Sequence, residues 1–99
     1  ALCYQRLTKD DGEAYTFHGL NSVYLPEWGW YRCDPRGNKA GVEAEFCPPV
    51  EKLAWTASEH GEIDFSALFE EPIAEVITCL TNSRSYDETY QSLPDGKEI

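Results

Sequence analysis

Phe17-His18-Gly19-Leu20-Asn21-Ser22-Val23-Tyr24-Leu25-Pro26-Glu27-Trp28-Gly29-Trp30-Tyr31-Arg32-Cys33-Asp34-Pro35 reads as one β-hairpin, and the rest of the chain frames it. An apolar run reaches a Pro…Gly turn, where Pro suits an early turn position and Gly one that needs positive φ. An aromatic run leaves the turn and stops at Asp34-Pro35. Side chains alternate along a strand, so His18, Leu20, Ser22 and Tyr24 share a face, as do Trp30, Arg32 and Asp34. A loop of about three residues around positions 26–28 gives a register that puts both sets on the same face. His18 and Asp34 then stand opposite or one diagonal apart, within side-chain reach. A carboxylate there can accept the imidazole N–H, fix one tautomer and stabilise the imidazolium, which is two parts of a nucleophile, base and orienter arrangement.

Outward from the hairpin, residues 2–9 read as a first strand and Lys9-Asp10-Asp11-Gly12 as a polar turn. The second strand starts near Glu13 or Ala14 and runs to Leu25, with Gly19 marking a bulge or a close backbone approach. The third covers 30–33. Connections this short make the meander antiparallel. Residues 36–41 are a loop, 43–47 are extended before Pro48-Pro49, and 50–55 supply a fourth strand. Beyond the Ser58-Glu59-His60-Gly61 turn the period becomes helical. Phe65, Leu68 and Phe69 fit one short segment, and Ile73, Val76, Ile77 and Leu80 form a stripe after Pro72 that stops at Asn82. Ser85-Tyr86-Asp87-Glu88 matches a capping box that opens a last helix before Pro94. The expectation is one α+β domain over 1–99: an antiparallel sheet of three to four strands (2–55), short C-terminal helices (62–93) and a frayed tail (94–99).

Composition narrows the classes. Ninety-nine residues with 41% hydrophobic and 13% aromatic content support a single core. Eight basic residues against eighteen acidic ones give a net charge of −10, which repels a phosphate backbone, so nucleic acid is not an expected partner. No apolar run approaches the roughly 20 residues that span a bilayer, and the start lacks a basic-then-apolar leader. A cytoplasmic protein without a membrane partner is expected. Cys3, Cys33, Cys47 and Cys79 form no C-x-x-C, and with His18 and His60 they make no zinc spacing; reduced thiols and no metal are expected. Two disulfides in a small secreted protein are the alternative.

The hairpin resembles the histidine and aspartate half of transglutaminase-like, papain-superfamily cysteine enzymes. Their pattern is His-x-Trp-x-Glu-Val-Tyr-Leu-Pro-x-x-Gly-Trp-x-x-x-Asp-Pro-Thr. Here it stands as His18, Val23-Tyr24-Leu25-Pro26, Gly29-Trp30 and Asp34-Pro35 without a gap, with Leu20, Ser22 and Arg36 replacing the Trp, Glu and Thr. Leu2-Cys3-Tyr4-Gln5-Arg6-Leu7, His18-Gly19-Leu20-Asn21, Asp34-Pro35-Arg36-Gly37-Asn38-Lys39 and Phe46-Cys47-Pro48-Pro49-Val50-Glu51-Lys52-Leu53-Ala54 resemble one bacterial branch of that family.

The resemblance implies thiol acyl transfer or hydrolysis at peptide or amide bonds, with His18 as base then acid and Asp34 as its orienter. No cofactor is implied. Gln5 and Asn38 are the supporting or substrate-binding candidates. In the family the nucleophilic Cys starts a helix that precedes the sheet, where the helix dipole and the His lower its pKa. No such Cys precedes His18, and Cys3 sits in a strand pattern. The chain also opens without a Met in the middle of a strand, so it is expected to be a C-terminal piece of such a domain. That piece is expected to be inactive alone, to partner the missing N-terminal helices, and to self-associate through the face they leave bare. The alternative is a non-catalytic protein- or peptide-binding module on the same scaffold.

Overall fold

A computed structural model describes residues 1–9, 14–38 and 40–96. The 10–13 part of the first turn and the 97–99 part of the tail lie outside the described residues. The strands are β1 (Leu2–Thr8), β2 (Tyr15–Leu25), β3 (Gly29–Cys33), β4 (Phe46–Cys47), β5 (Val50–Glu51) and β6 (Ile63–Asp64); the helices are α1 (Ala74–Asn82) and α2 (Tyr86–Ser92). The order β3-β2-β1-β6 makes a four-stranded antiparallel sheet, and β4-β5 is a separate small ribbon. The class is α+β. Among the described residues no helix is long and apolar enough to cross a membrane.

The hairpin is built as its turn residues require. Leu25 pairs Gly29, leaving residues 26–28 as a three-residue loop. Trp28 N–H donates to the Leu25 carbonyl at 3.0 Å, and Gly29 takes φ 82°, the left-handed step that returns the chain. No bulge forms at Gly19. The β1–β2 ladder runs unbroken, with Tyr4 opposite Gly19 and its ring lying over the space a Cβ would take. The close-approach reading holds and the bulge reading is corrected.

The fourth sheet strand is not 50–55. Only Val50–Glu51 of that stretch is a strand, and it pairs with Phe46–Cys47. Residues 62–73 are not helical either. Ile63–Asp64 pairs with β1, Phe65 N–H donates to the Tyr4 carbonyl, and Phe69 bridges Leu2. Phe65 and Phe69 share a face here because both rings dock edge-on, Phe65 on Phe17 (5.6 Å) and Phe69 on Tyr4 (5.8 Å). An open strand edge with unpaired N–H and C=O groups outcompetes one helical turn. Residues 66–68 stand between Phe65 and Phe69 where β1 has only Cys3 between Tyr4 and Leu2, so this stretch bows outward.

Helix α1 starts at Ala74, later than the expected start at Pro72, whereas α2 starts at Tyr86, directly after its predicted Ser85 cap. Ser85 caps α2 by accepting from Glu88 N–H at 3.2 Å, while Glu88 accepts from Arg84 N–H at 2.6 Å, close to the expected capping box. The stripe on α1 is only half covered: Ile73, Val76 and Cys79 are half-buried, but Ile77 and Leu80 are exposed. Ile73 N–H bonds the Tyr4 hydroxyl, and beyond α2 Arg6 pairs with Asp95 at 2.8 Å. Glu62 gathers the turn before β6 by accepting from Thr8 N–H and Oγ1 and from the N–H groups of Ser58 and Glu59. Those bonds hold its carboxyl well down, from 4.5 to about 2, although burial works the other way.

Candidate functional site

The register decides which residues meet. Gln5 stands directly opposite His18, Ser22 opposite Arg32 and Tyr24 opposite Trp30, so these share one face; Tyr4, Phe17, Tyr31 and Cys33 share the other. Asp34 follows β3 by one residue and lies diagonal to His18. His18 Nε2 and Asp34 Oδ2 are 2.8 Å apart, with the histidine side chain 19% exposed and the aspartate side chain 0%. Asp34 also accepts from the N–H of Arg36 and of Ala54, both at 3.2 Å. Burial pushes the Asp34 carboxyl up, but the bonds from His18, Arg36 and Ala54 outweigh it and hold it below its ordinary value.

An ionised carboxylate only accepts hydrogen bonds. The proton between the two groups therefore sits on Nε2, and Nδ1 is the ring nitrogen that Asp34 does not engage. Among the described residues Nδ1 has no hydrogen-bond partner. The geometry suits a general base whose tautomer is fixed from behind.

Around the pair lie Gln5, a candidate from the sequence, and Trp55 and Asp64, which the sequence pattern did not single out. Trp55 meets the imidazole edge-on at 4.8 Å and 82°, and the Arg36 guanidinium lies over the Trp55 ring at 5.1 Å. Gln5 Nε2 donates to the Trp55 carbonyl at 3.1 Å and to Asp64 Oδ1 at 2.8 Å. Asp64 also accepts from Arg32 Nη1 at 2.8 Å, and Glu51 takes Arg32 on its other side. Burial works against the Arg32 charge, but the two carboxylates outweigh it and hold the guanidinium more firmly protonated.

Beside this network a cleft of about 370 Å³ opens among Cys3, Ser22, Trp30, Arg32, Ser66 and Leu68. The outward bow of 66–68 forms one wall. Two buried polar atoms lack partners among the described residues, Gln5 Oε1 and Thr16 Oγ1. Both belong to the face of His18, one opposite it and one two residues before it.

The other candidates are placed elsewhere. Asn38 bonds Ala44 N–H and Glu45 within its own loop and does not reach His18 or Asp34. His60 sits in its turn, where its carbonyl accepts from the Tyr15 hydroxyl. All four cysteines are free thiols. Cys3 lies on the His18 face, but burial pushes its thiol up, the reverse of an activated nucleophile. Cys33 faces away, and burial with the nearby Asp34 charge raises its thiol too. Cys47 and Cys79 contact carbonyls of their own surroundings. Of the hairpin aromatics, Tyr31 is buried, whereas Trp28 and Trp30 are exposed rather than core.

No protein-family model, curated protein or solved structure matches the chain.

Proposed function

We propose that this chain supplies the base and orienter of a transglutaminase-like cysteine centre acting on peptide or amide bonds. The observation that carries the reading is the 2.8 Å His18 Nε2–Asp34 Oδ2 bond, which leaves Nδ1 open on the same ring. In this reading Nδ1 takes the proton of a thiol, and the thiolate attacks the carbonyl carbon. The C–N bond breaks as the imidazolium returns the proton to the leaving amine. Water or a second amine then releases the thioester, with His18 again as base. Asp34 keeps the Nε2 proton throughout and stabilises the imidazolium. No cofactor takes part.

In this reading the nucleophile is a Cys at the start of a helix that these 99 residues do not supply, so the 99 residues alone are expected to have no turnover. The test is the coding sequence upstream of Ala1 together with the protein it encodes. A helix-start Cys is expected there, with turnover of a peptide amide that falls by about 10²–10⁴-fold in His18→Ala. An upstream sequence without such a Cys overturns the reading.

A binding module on the same scaffold is the second reading. It is favoured by Tyr24, Trp28 and Trp30, which stand exposed together at the hairpin tip. Leu20 and Ser22, which replace the family's Trp and Glu, do not help it, because both are fully buried packing residues.

A further inference from the structure

His18 is held by more than Asp34. Residues 54–55 cross its face of the sheet, and three contacts fix them there. Ala54 N–H donates to the same Asp34 oxygen that His18 bonds. The Trp55 ring covers the imidazole edge-on. The Trp55 carbonyl is tied down by Gln5, which stands directly opposite His18 and is 1% exposed. Both partners of the Gln5 amide nitrogen, the Trp55 carbonyl and Asp64 Oδ1, are acceptors only. A reversed amide would set its oxygen against two oxygens, so the orientation is fixed. Asp64 is itself held by Arg32, which Glu51 braces from behind. Packing alone does not call for this residue. Its neighbours on the same face of β1, Cys3 and Leu7, are buried and apolar, whereas Gln5 leaves Oε1 without a partner.

We propose that Gln5 is a positioning residue for His18: its amide clamps the main chain at Trp55, and the clamp holds the imidazole with Nε2–H on Asp34. The consequence for turnover rests on the proposed function of His18; the clamp itself does not.

The test is nitrogen–proton NMR of the chain with Gln5→Met, which keeps the length and removes the amide. Two signals report on the clamp: the His18 Nε2–H resonance and the ring-current shifts between Trp55 and His18. Exchange of that proton with water is expected to speed up at least about tenfold, as loss of a net hydrogen bond implies. The ring-current shifts should collapse while the β1–β2 amides stay protected.

Asp64→Ala, at a side chain 40% exposed, removes the second acceptor at little risk to folding and should move both signals in the same direction by less. It decides the matter if Gln5→Met does not fold. Unchanged His18 signals in either folded variant overturn the proposal. In the protein that carries a nucleophile, Gln5→Met should lower kcat with KM held, since Gln5 touches no substrate; a shifted KM with kcat intact also overturns it. An inactive protein whose His18 signals still move would sink the enzymatic reading and leave the clamp standing.

Discussion

The two faces of the sheet are built from the same ladders and do opposite things. One face packs Tyr4, Phe17, Phe65 and Phe69 ring against ring, two pairs T-shaped and one tilted, at centroid separations of 5.6–6.2 Å. Pairs of this kind add about 0.5–1.5 kcal/mol each beyond the area they bury. The other face buries Gln5, Ser22 and Asp34 and leaves two polar atoms unpaired. The His18 face also buries the apolar Cys3, Leu7 and Leu20, so the division lies in its polar contacts, which hold one imidazole where the other face holds rings.

Four measurements break or sharpen the contrast. The largest effect is expected on the aromatic face: Tyr4→Ala removes the ring that links β1 to Phe17 and Phe69, at a cost of about 3–5 kcal/mol in urea denaturation. On the polar face, Asp34→Ala strips the acceptor from His18, Arg36 and Ala54 and should cost about 1–3 kcal/mol. A smaller loss from Asp34→Ala than from Tyr4→Ala supports the division, and the reverse order breaks it.

Acid should then act through the carboxylates that are held down. The folded pKa of Glu62, about 2, lies below its ordinary 4.5. Its contribution is fully present above pH 4.5 and is lost as pH falls from there toward 2. Asp34 has the same sign. Glu62→Gln should flatten the fall of the thermal midpoint across that window, and an unchanged slope would remove Glu62 from the account. The smallest effect on stability is expected from Trp30→Ser at the hairpin tip, within about 0.5 kcal/mol. The same change should weaken self-association of the chain in sedimentation velocity, through loss of the exposed Tyr24–Trp30 pair. A wild-type chain that sediments as a monomer at high concentration removes the self-association reading.

The hairpin and the meeting of His18 with Asp34 were legible because they depend on local rules. Pro26 and Gly29 set the turn, the turn sets the register, and alternation carries both residues to one face. The capping box at Ser85 was legible for the same reason. Phe65, Leu68 and Phe69 misled, since an i, i+4 spacing also results when two rings dock on two adjacent rings, Phe17 and Tyr4, across a bowed edge. A two-residue strand such as Ile63–Asp64 has no pattern of its own; the free edge of β1 defines it. Trp55, Arg32 and Asp64 joined the site through contacts between distant parts of the chain, and no spacing announces such contacts. Asn38 belonged to the expected site by resemblance, but its side chain closes its own loop.

The pair of Leu25 with Gly29 that closes the 26–28 loop also guards the site from a distance. A strand alternates with period two, so a slip of β3 by one residue against β2 would turn every β3 side chain over. Arg32 and Asp34 would then join Tyr4 and Phe17, and Tyr31 and Cys33 would come round to His18. A change at the hairpin tip that lets the strands slip would therefore cost the His18–Asp34 bond without touching either residue.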